Sequence, residues 1–315
     1  MLALLAVLGA VAVLLGCGAG VVLDRLWASG VHPGTAAACW FAALAGTVAA
    51  VAGMIAVGLL WPPTPGHGIV EWLHGCLPHH PVAALVLGGL ASVPVVWLCC
   101  ARVAGGVPRL RRALRQRRDH REVLHMVARE DADHPDVLLL DHPIPVAYCL
   151  PSRWRPIVVS TGARRRLSPA QLEAVLEHER AHLRQRHHAL LLLLDAVHAL
   201  LPWPPTVRRA RARIPVLLEM AADDAAARAG GSRPLAEALR QIATAPEFAG
   251  ALAASGQGPG ALSRRLARLE GAAGRQATGR PGRAVRPVAW TLSACAAAVP
   301  FAAAVAALAR LVPPC

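Results

Sequence analysis

The stretch Ser168–His188, SPAQLEAVLEHERAHLRQRHH, decides the fold because it combines a helix start with an unusual inward face. Ser168 suits the N-cap, Pro169 the first helical position and Gln171 the third, which together form a capping box. Apolar residues then recur at helical spacings along one face. They are Leu172, Val175, Leu176 and Leu183. The pattern predicts an amphipathic helix.

Glu179 and His182 fall on the same inward face, where an ordinary helix would carry aliphatic residues. A buried carboxylate and imidazole cost several kcal/mol unless they are paired or coordinated. With His178 they form H-E-x-x-H, in which two imidazoles one turn apart can reach one ion. Glu179 could then accept a proton from a metal-bound water. We expect His187 and His188, at the helix end, to be solvated.

A third metal ligand is available downstream in Glu219, which follows the apolar residues 216–218 in a second helical pattern. Asp223 lies four residues later, so both carboxylates share a helix face. Asp223 could receive the free ring N–H of a ligating histidine and fix its tautomer. The alternative is an acidic, exposed face on an alanine-rich helix.

The composition predicts a membrane protein. Hydrophobic residues make up 55% of the 315-residue chain, and mean hydropathy is +0.43. The apolar surplus lies in segments long enough to cross a bilayer, which takes about 20 residues. These are Leu2–Leu23, Thr35–Leu60, Val82–Val103 and Val288–Val312. No basic residue precedes the first segment, which favours a retained helix over a signal peptide.

The basic charge predicts orientation and partners. The net charge is +14, and the stretch PRLRRALRQRRDHR after the third segment is dense in arginine. The positive-inside rule therefore places the region from about Arg109 to Arg286 in the cytoplasm of a multi-pass plasma-membrane protein. Membrane lipids are the expected partners of the arginines, and no nucleic acid is expected. The sequence neither predicts nor excludes a disulfide between Cys76 and Cys315.

Domain boundaries follow from these shifts in composition. Short strands are predicted in DVLLL, VAYCL and PIVVS, and a helical pattern then runs to about residue 245. The apolar stretch ALLLLLDAVHALLPWPP is too short to cross twice, so it is predicted to be a buried or membrane-grazing helix.

The expected fold is mainly α, with about four transmembrane helices and a cytoplasmic α+β domain. The expected units are a three-helix membrane region 1–107, a basic juxtamembrane segment 108–135, a central domain 136–246, a flexible segment 247–287 with a short helix at Leu262–Leu269, and a fourth membrane helix with its tail 288–315.

The combination of HERAH and EMAAD resembles the H-E-x-x-H…E-x-x-A-D pattern of integral-membrane zincin peptidases. These are the M56 group, which includes the β-lactam sensor-transducers, and the related M48 group of HtpX and CAAX-protease type. ADDAAARAGGSRPLAEALRQIA and LSRRLARL are similar to later segments of such proteins. The resemblance covers about Asp141 to Leu269. Three helices before the domain and one after it favour M56.

The resemblance implies a zincin-like metallopeptidase domain that holds one zinc ion per chain through His178, His182 and Glu219. Glu179 becomes the general base, Asp223 the partner of a ligating histidine, and the reaction peptide-bond hydrolysis by a zinc-activated water. A protein or peptide substrate would add to an edge strand, either PIVVS or VAYCL. The chain ends just after its fourth apolar segment, so the penicillin-binding sensor domain is expected to be absent.

Two alternatives remain open at this stage. One is a signal-transducing peptidase that inactivates a cytoplasmic repressor through the same site. The other is a non-enzymatic, arginine-rich membrane scaffold or nucleic-acid-binding protein, which would bind no stoichiometric zinc. Candidates for stabilising the oxyanion are Tyr148, Arg211, Arg213 and Arg228.

Overall fold

The computed structural model describes residues 2–28, 30–60, 97, most of 101–124, 126–150, 156–243 and 259–278. This part of the chain is mainly helical, as the sequence predicts, and has one small sheet. The described residues between 101 and 127 are also helical. Numbered in chain order, the other helices are α1 (Leu2–Val13), α2 (Ala19–Ala28), α3 (Pro33–Leu60), α4 (Thr161–Arg166), α5 (Pro169–Arg184), α6 (His187–Leu200), α7 (Pro205–Gly230), α8 (Ser232–Ala243) and α9 (Pro259–Thr278), with a π-helical stretch Leu14–Gly18 between α1 and α2.

Two helical stretches near the amino terminus are long and apolar enough to cross a membrane. They are Ala6–Ala28 and Pro33–Ala56, which overlap the first two predicted segments. They suggest membrane association. The predicted segments Val82–Val103 and Val288–Val312 lie almost wholly outside the described residues. The number of crossings and the side that the central domain faces therefore stay predictions.

The amino-terminal hairpin, which consists of α1, α2 and α3, packs along α7. Arg213 Nε lies 2.9 Å from Asp24 Oδ1, and His32 Nε2 lies 3.3 Å from Asp224 Oδ2. The turn before α3 is therefore level with the second half of α7, which carries Glu219. Burial of small and aliphatic side chains supplies most of the free energy that stabilises this contact. The shared core contains Val31, Ala36, Ala37, Trp40, Leu44, Leu194, Val207, Ala210, Ile214, Leu217 and Leu218.

The three predicted strands and one further strand, β1, form a four-stranded sheet in the order β1-β2-β4-β3. The strands are β1 (Arg129–Glu130), β2 (Val137–Leu140), β3 (Ala147–Cys149) and β4 (Ile157–Ser160). β2 pairs with β4 in parallel, and the other two pairs are antiparallel. Because β4 lies between β2 and β3, the expectation that PIVVS could serve as an edge strand is wrong. Of the two candidates, only VAYCL contains a strand, β3, at an edge of the described sheet.

Two local features lead from the sheet into α5. A side chain at Gly162 would place its Cβ 2.0 Å from the carbonyl oxygen of Pro143, so only glycine fits where the loop between β2 and β3 crosses α4. The predicted capping box is confirmed. Ser168 Oγ accepts from the Gln171 N–H at 3.3 Å, and Gln171 Oε1 accepts from the Ser168 N–H at 3.0 Å. The start of the helix is thereby fixed relative to the sheet.

Arg180, the third residue of HERAH, points away from the inward face and ties α5 to the sheet. Its Nε and Nη2 donate to the two carboxylate oxygens of Asp136 at 2.9 and 3.1 Å, just before β2. Its Nη1 donates to Glu173 at 2.7 Å and Glu177 at 3.0 Å. Hydrogen bonding to Arg180 lowers the pKa of Asp136. The bidentate geometry sets the angle of α5 against β2.

Helix α9 runs from Pro259 to Thr278 and is longer than the predicted helix Leu262–Leu269. Leu269 is buried against Ala174 of α5 and Leu235 of α8. Much of the segment expected to be flexible is therefore a helix that packs into the central core.

Candidate metal centre

The candidate ligands converge from two helices. His178 and His182 project from one turn of α5, and Glu219 projects from α7. The two Nε2 atoms are 3.0 Å apart, and each lies 3.5 Å from a carboxylate oxygen of Glu219. Around a tetrahedral zinc ion with bonds of about 2.0–2.1 Å, ligand atoms stand about 3.3 Å apart. The three residues form a candidate metal site whose spacing fits zinc.

Asp223 lies behind the first histidine. Its Oδ1 is 3.0 Å from His178 Nδ1, the ring nitrogen on the far side from Glu219. The carboxylate is almost fully buried, at 1% exposure. This is the arrangement expected of a group that fixes the tautomer of a metal-binding histidine.

Arg265 of α9, which is not among the predicted site residues, joins the two carboxylates. Its Nε and Nη2 each donate to Asp223 at 2.7 Å, and its Nη1 lies 3.0 Å from Glu219 Oε2. A usable signal was present in LSRRLARL. Leu262, Arg265 and Leu269 follow helical spacing on one face. An arginine on an apolar stripe needs a buried partner.

The buried charges perturb one another strongly. Burial by itself raises the pKa of Glu219, but Arg265 and His178 hold that pKa well below its usual range. Burial alone lowers the pKa of His178, yet Asp223 and Glu219 outweigh it and raise the pKa to about 10. Zinc takes the neutral imidazole as its ligand, so metal binding at this histidine competes with protonation.

A cavity of about 410 Å³ opens between the ligand cluster, strand β3 and helices α8 and α9. Glu179 lies in its wall, and burial raises the pKa of this carboxylate. Burial likewise raises the pKa of the neighbouring Cys149 thiol above its usual range, so this thiol is not an activated nucleophile. The rest of the wall is mainly aliphatic. It includes Val175, Leu191, Leu235, Leu239, Ile242 and Leu262.

The expectation that His187 is solvated is wrong. His187 is only 2% exposed, and its Nδ1 lies 2.8 Å from Nδ1 of His182. His188 is partly buried, with Nε2 3.3 Å from Cys149 Sγ. The reason is a left-handed residue, Arg186, at φ 52° and ψ 38°. It ends α5 and turns the chain back toward the site.

The arginine candidates for the oxyanion are not at the cavity. Arg211 lies 3.8 Å from Asp195, Arg213 pairs with Asp24, and Arg228 is exposed near the end of α7. None of the three lines the cavity wall. Tyr148 does line it, with its hydroxyl 3.4 Å from His120 Nε2.

Comparison with known proteins adds one finding to this geometry. The sequence model of peptidase family M48 matches residues 113–203. The match supports the M48 peptidase family. The matched range contains the whole of α5 and ends before Glu219. M48 peptidases are typically zinc-dependent, so the match together with the ligand cluster supports a metallopeptidase.

No curated protein and no solved structure gives a significant match. Assignment to the M56 group and the absence of a sensor domain stay predictions.

Proposed function

We propose that this protein is a membrane-associated, zinc-dependent endopeptidase whose zinc is held by His178, His182 and Glu219. The observation that carries the proposal is the ligand cluster, in which one nitrogen or oxygen atom from each residue lies within 4.8 Å of the others. The cluster borders a cavity large enough for part of a peptide. Zinc bound there would polarise the scissile carbonyl and acidify water.

The remaining roles belong to the chain's own side chains. Glu179 accepts a proton from the attacking water and returns it to the leaving amine. Asp223 holds the ring of His178 with its Nε2 toward the ligand cluster. Arg265 neutralises the buried carboxylates of Asp223 and Glu219, so that both stay ionised. The aliphatic wall excludes water from the reacting groups and strengthens these interactions.

Metal removal tests the proposal directly. We expect the full chain, purified in detergent, to hold one zinc ion and to cleave members of a peptide library. A chelator should abolish cleavage, and added zinc should restore it, because the polarising charge is lost and regained. Elemental analysis measures the zinc, and mass spectrometry measures the products. Cleavage that survives complete zinc removal would exclude this mechanism.

The edge strand β3 is the proposed contact for the substrate backbone. The Ser160 N–H donates to the Val146 carbonyl at 2.9 Å, and the Leu150 N–H to the Pro156 carbonyl at 2.6 Å. Hydrogen-bonded positions alternate along an antiparallel pair. The backbone groups of Ala147 and Cys149 therefore point away from β4, and no further strand pairs with this edge in the described part of the chain. An extended peptide could add there beside Glu179.

Proline at position 147 tests strand addition. Because the N–H of Ala147 is not used by β4, Ala147→Pro should leave the sheet intact and remove one donor to the substrate. We expect kcat/KM to fall about tenfold, as for one lost hydrogen bond. Ala147→Ser keeps the backbone donor and should behave like wild type. If Ala147→Pro folds and cleaves at the wild-type rate, the peptide does not pair with this strand.

The proposed location is the plasma membrane, with the catalytic domain facing the cytoplasm. Support comes from apolar residues exposed along the amino-terminal hairpin, which lipid would cover, among them Val7, Val13, Leu14 and Val22. The basic segment packs against the sheet at Leu124, which is buried against Leu138 and Val158. This part of the segment is therefore not a separate arm for binding a partner. This packing favours a catalytic domain over the scaffold or nucleic-acid alternative. Inactivation of a cytoplasmic repressor stays an alternative substrate assignment for the same site.

A further inference from the structure

His187 is a buried imidazole that the proposed chemistry does not use. It is 2% exposed, which is less than the ligand His178 at 7%. Its ring stands nearly perpendicular to that of His182, with an interplanar angle of 87° and centroids 4.6 Å apart. Its Nδ1 meets Nδ1 of His182, the ring nitrogen opposite the one that joins the ligand cluster. His187 is therefore placed behind a ligand and is not itself one of the three ligands.

The backbone is distorted to put it there. Arg186 is the one non-glycine residue with positive φ in the described ranges, and its side chain is exposed. A left-handed conformation costs a residue with a Cβ about 1–2 kcal/mol. The local gain is a reversal of direction between α5 and α6, which returns His187 to the site. Strain of this kind persists where contacts with the surrounding structure hold the residue in that conformation.

Zinc ligation through His182 Nε2 would determine where the ring protons lie. In the proposed site His182 Nε2, which lies 3.0 Å from His178 Nε2 and 3.5 Å from Glu219 Oε1, would offer its lone pair to zinc. The ring proton of His182 is then on Nδ1, which donates to His187 Nδ1 at 2.8 Å. The proton of His187 is consequently on Nε2, which donates to Gln185 Oε1 at 3.1 Å. With His182 Nε2 bound to zinc, this set of tautomers satisfies every contact.

We infer that His187 is a positioning residue for zinc: it accepts the Nδ1–H of His182 and so fixes the tautomer and ring orientation of that ligand. The inference rests on the proposed zinc site. His178 receives the corresponding support from a carboxylate, Asp223, at 3.0 Å. The two histidine ligands therefore have different partners, one anionic and one neutral. Gln185 completes the neutral chain at the end of α5.

A matched pair of variants separates hydrogen bonding from packing. Asn and Leu have nearly the same shape, and the Oδ1 atom of Asn stands where histidine has Nδ1. His187→Asn keeps an acceptor for His182, whereas His187→Leu removes it. His198→Leu is the control, because His198 lies on the same helix α6 and does not line the cavity.

The experiment measures zinc affinity of the full chain in detergent by competition with a chelator of known affinity. We expect zinc to bind about ten- to a hundredfold more weakly to His187→Leu. His187→Asn and the His198→Leu control should stay close to wild type, and the melting temperatures of the metal-free proteins should change little.

The outcomes distinguish this inference from the proposed function. If wild type binds no zinc, the proposed function fails and this inference fails with it. If wild type binds zinc and His187→Leu binds it equally well, only the positioning role is refuted. Equal weakening in the Leu and Asn variants would also refute it, because packing and not the hydrogen bond would then be responsible.

Discussion

Glu179→Gln is expected to keep its zinc while peptide cleavage falls by about a hundredfold to ten-thousandfold, the usual contribution of a general base. Glutamine has the shape of glutamate but cannot accept the proton of the attacking water. Glu179 is not one of the three residues whose atoms form the ligand cluster, so metal binding should not need its charge. Elemental analysis tests whether zinc is retained, and the cleavage rate of the same sample tests whether activity is lost.

The matched control is Glu177→Gln, which makes the same chemical change two residues earlier on α5. Glu177 accepts from Arg180 at 3.0 Å and from Arg184 at 3.1 Å, and it does not line the cavity. It should cleave near the wild-type rate. Retained cleavage in Glu179→Gln would remove this residue from the chemistry. Loss of zinc in that variant would instead assign it a role in holding the metal.

The parts of the site that the sequence predicts are those encoded by local rules. The capping box of Ser168 and Gln171 and the three-and-four spacing set the start and the inward face of α5. Once that face is known, a carboxylate and imidazole on it demand a partner or a metal. The same logic led to Glu219, because a second helix with an inward carboxylate can supply the missing ligand. Three of the four strands are likewise predicted from short apolar runs, whereas β1 (Arg129–Glu130) has no such signal.

What could not be predicted depends on contacts distant in sequence or on a single backbone angle. Sheet order is not encoded in any one strand, so nothing local shows that β4 would lie inside and β3 at the edge. The burial of His187 depends on the left-handed angle at Arg186, whereas a continued helix would have carried His187 onward. The partners of Arg265 lie more than 40 residues earlier, since its contact with Asp223 spans 42 positions.

Arg265→Met is expected to lower the free energy of unfolding of the metal-free protein by about 3–5 kcal/mol, the usual cost of breaking a buried ion pair. Asp223, at 1% exposure, and the partly buried Glu219 would be left on one helix face without their cation. Denaturant unfolding in detergent measures the loss. Arg264→Met is the control, because Arg264 is exposed and donates to the Gly260 carbonyl of its own helix at 2.9 Å.

The pH dependence of the loss identifies its cause. In the folded wild type, Arg265 holds the pKa of Asp223 and Glu219 below the usual range, against the effect of burial. Carboxylates with lowered pKa stabilise the fold above their unfolded pKa of about 4, and that contribution disappears as pH falls through the folded value. The gap between wild type and Arg265→Met should therefore be largest near neutral pH and shrink in acid. A gap that does not change with pH would mean that Arg265 acts through packing of its stem.

Arg265→Lys separates charge from geometry. The guanidinium commits Nε and Nη2 to Asp223 and Nη1 to Glu219, so one fork of donors serves both carboxylates. This arrangement supports a role for Arg265 in neutralising and orienting the carboxylates. Lysine keeps the charge but cannot reproduce the bidentate fork. We expect it to recover only part of the lost stability, and full recovery would show that charge alone is needed.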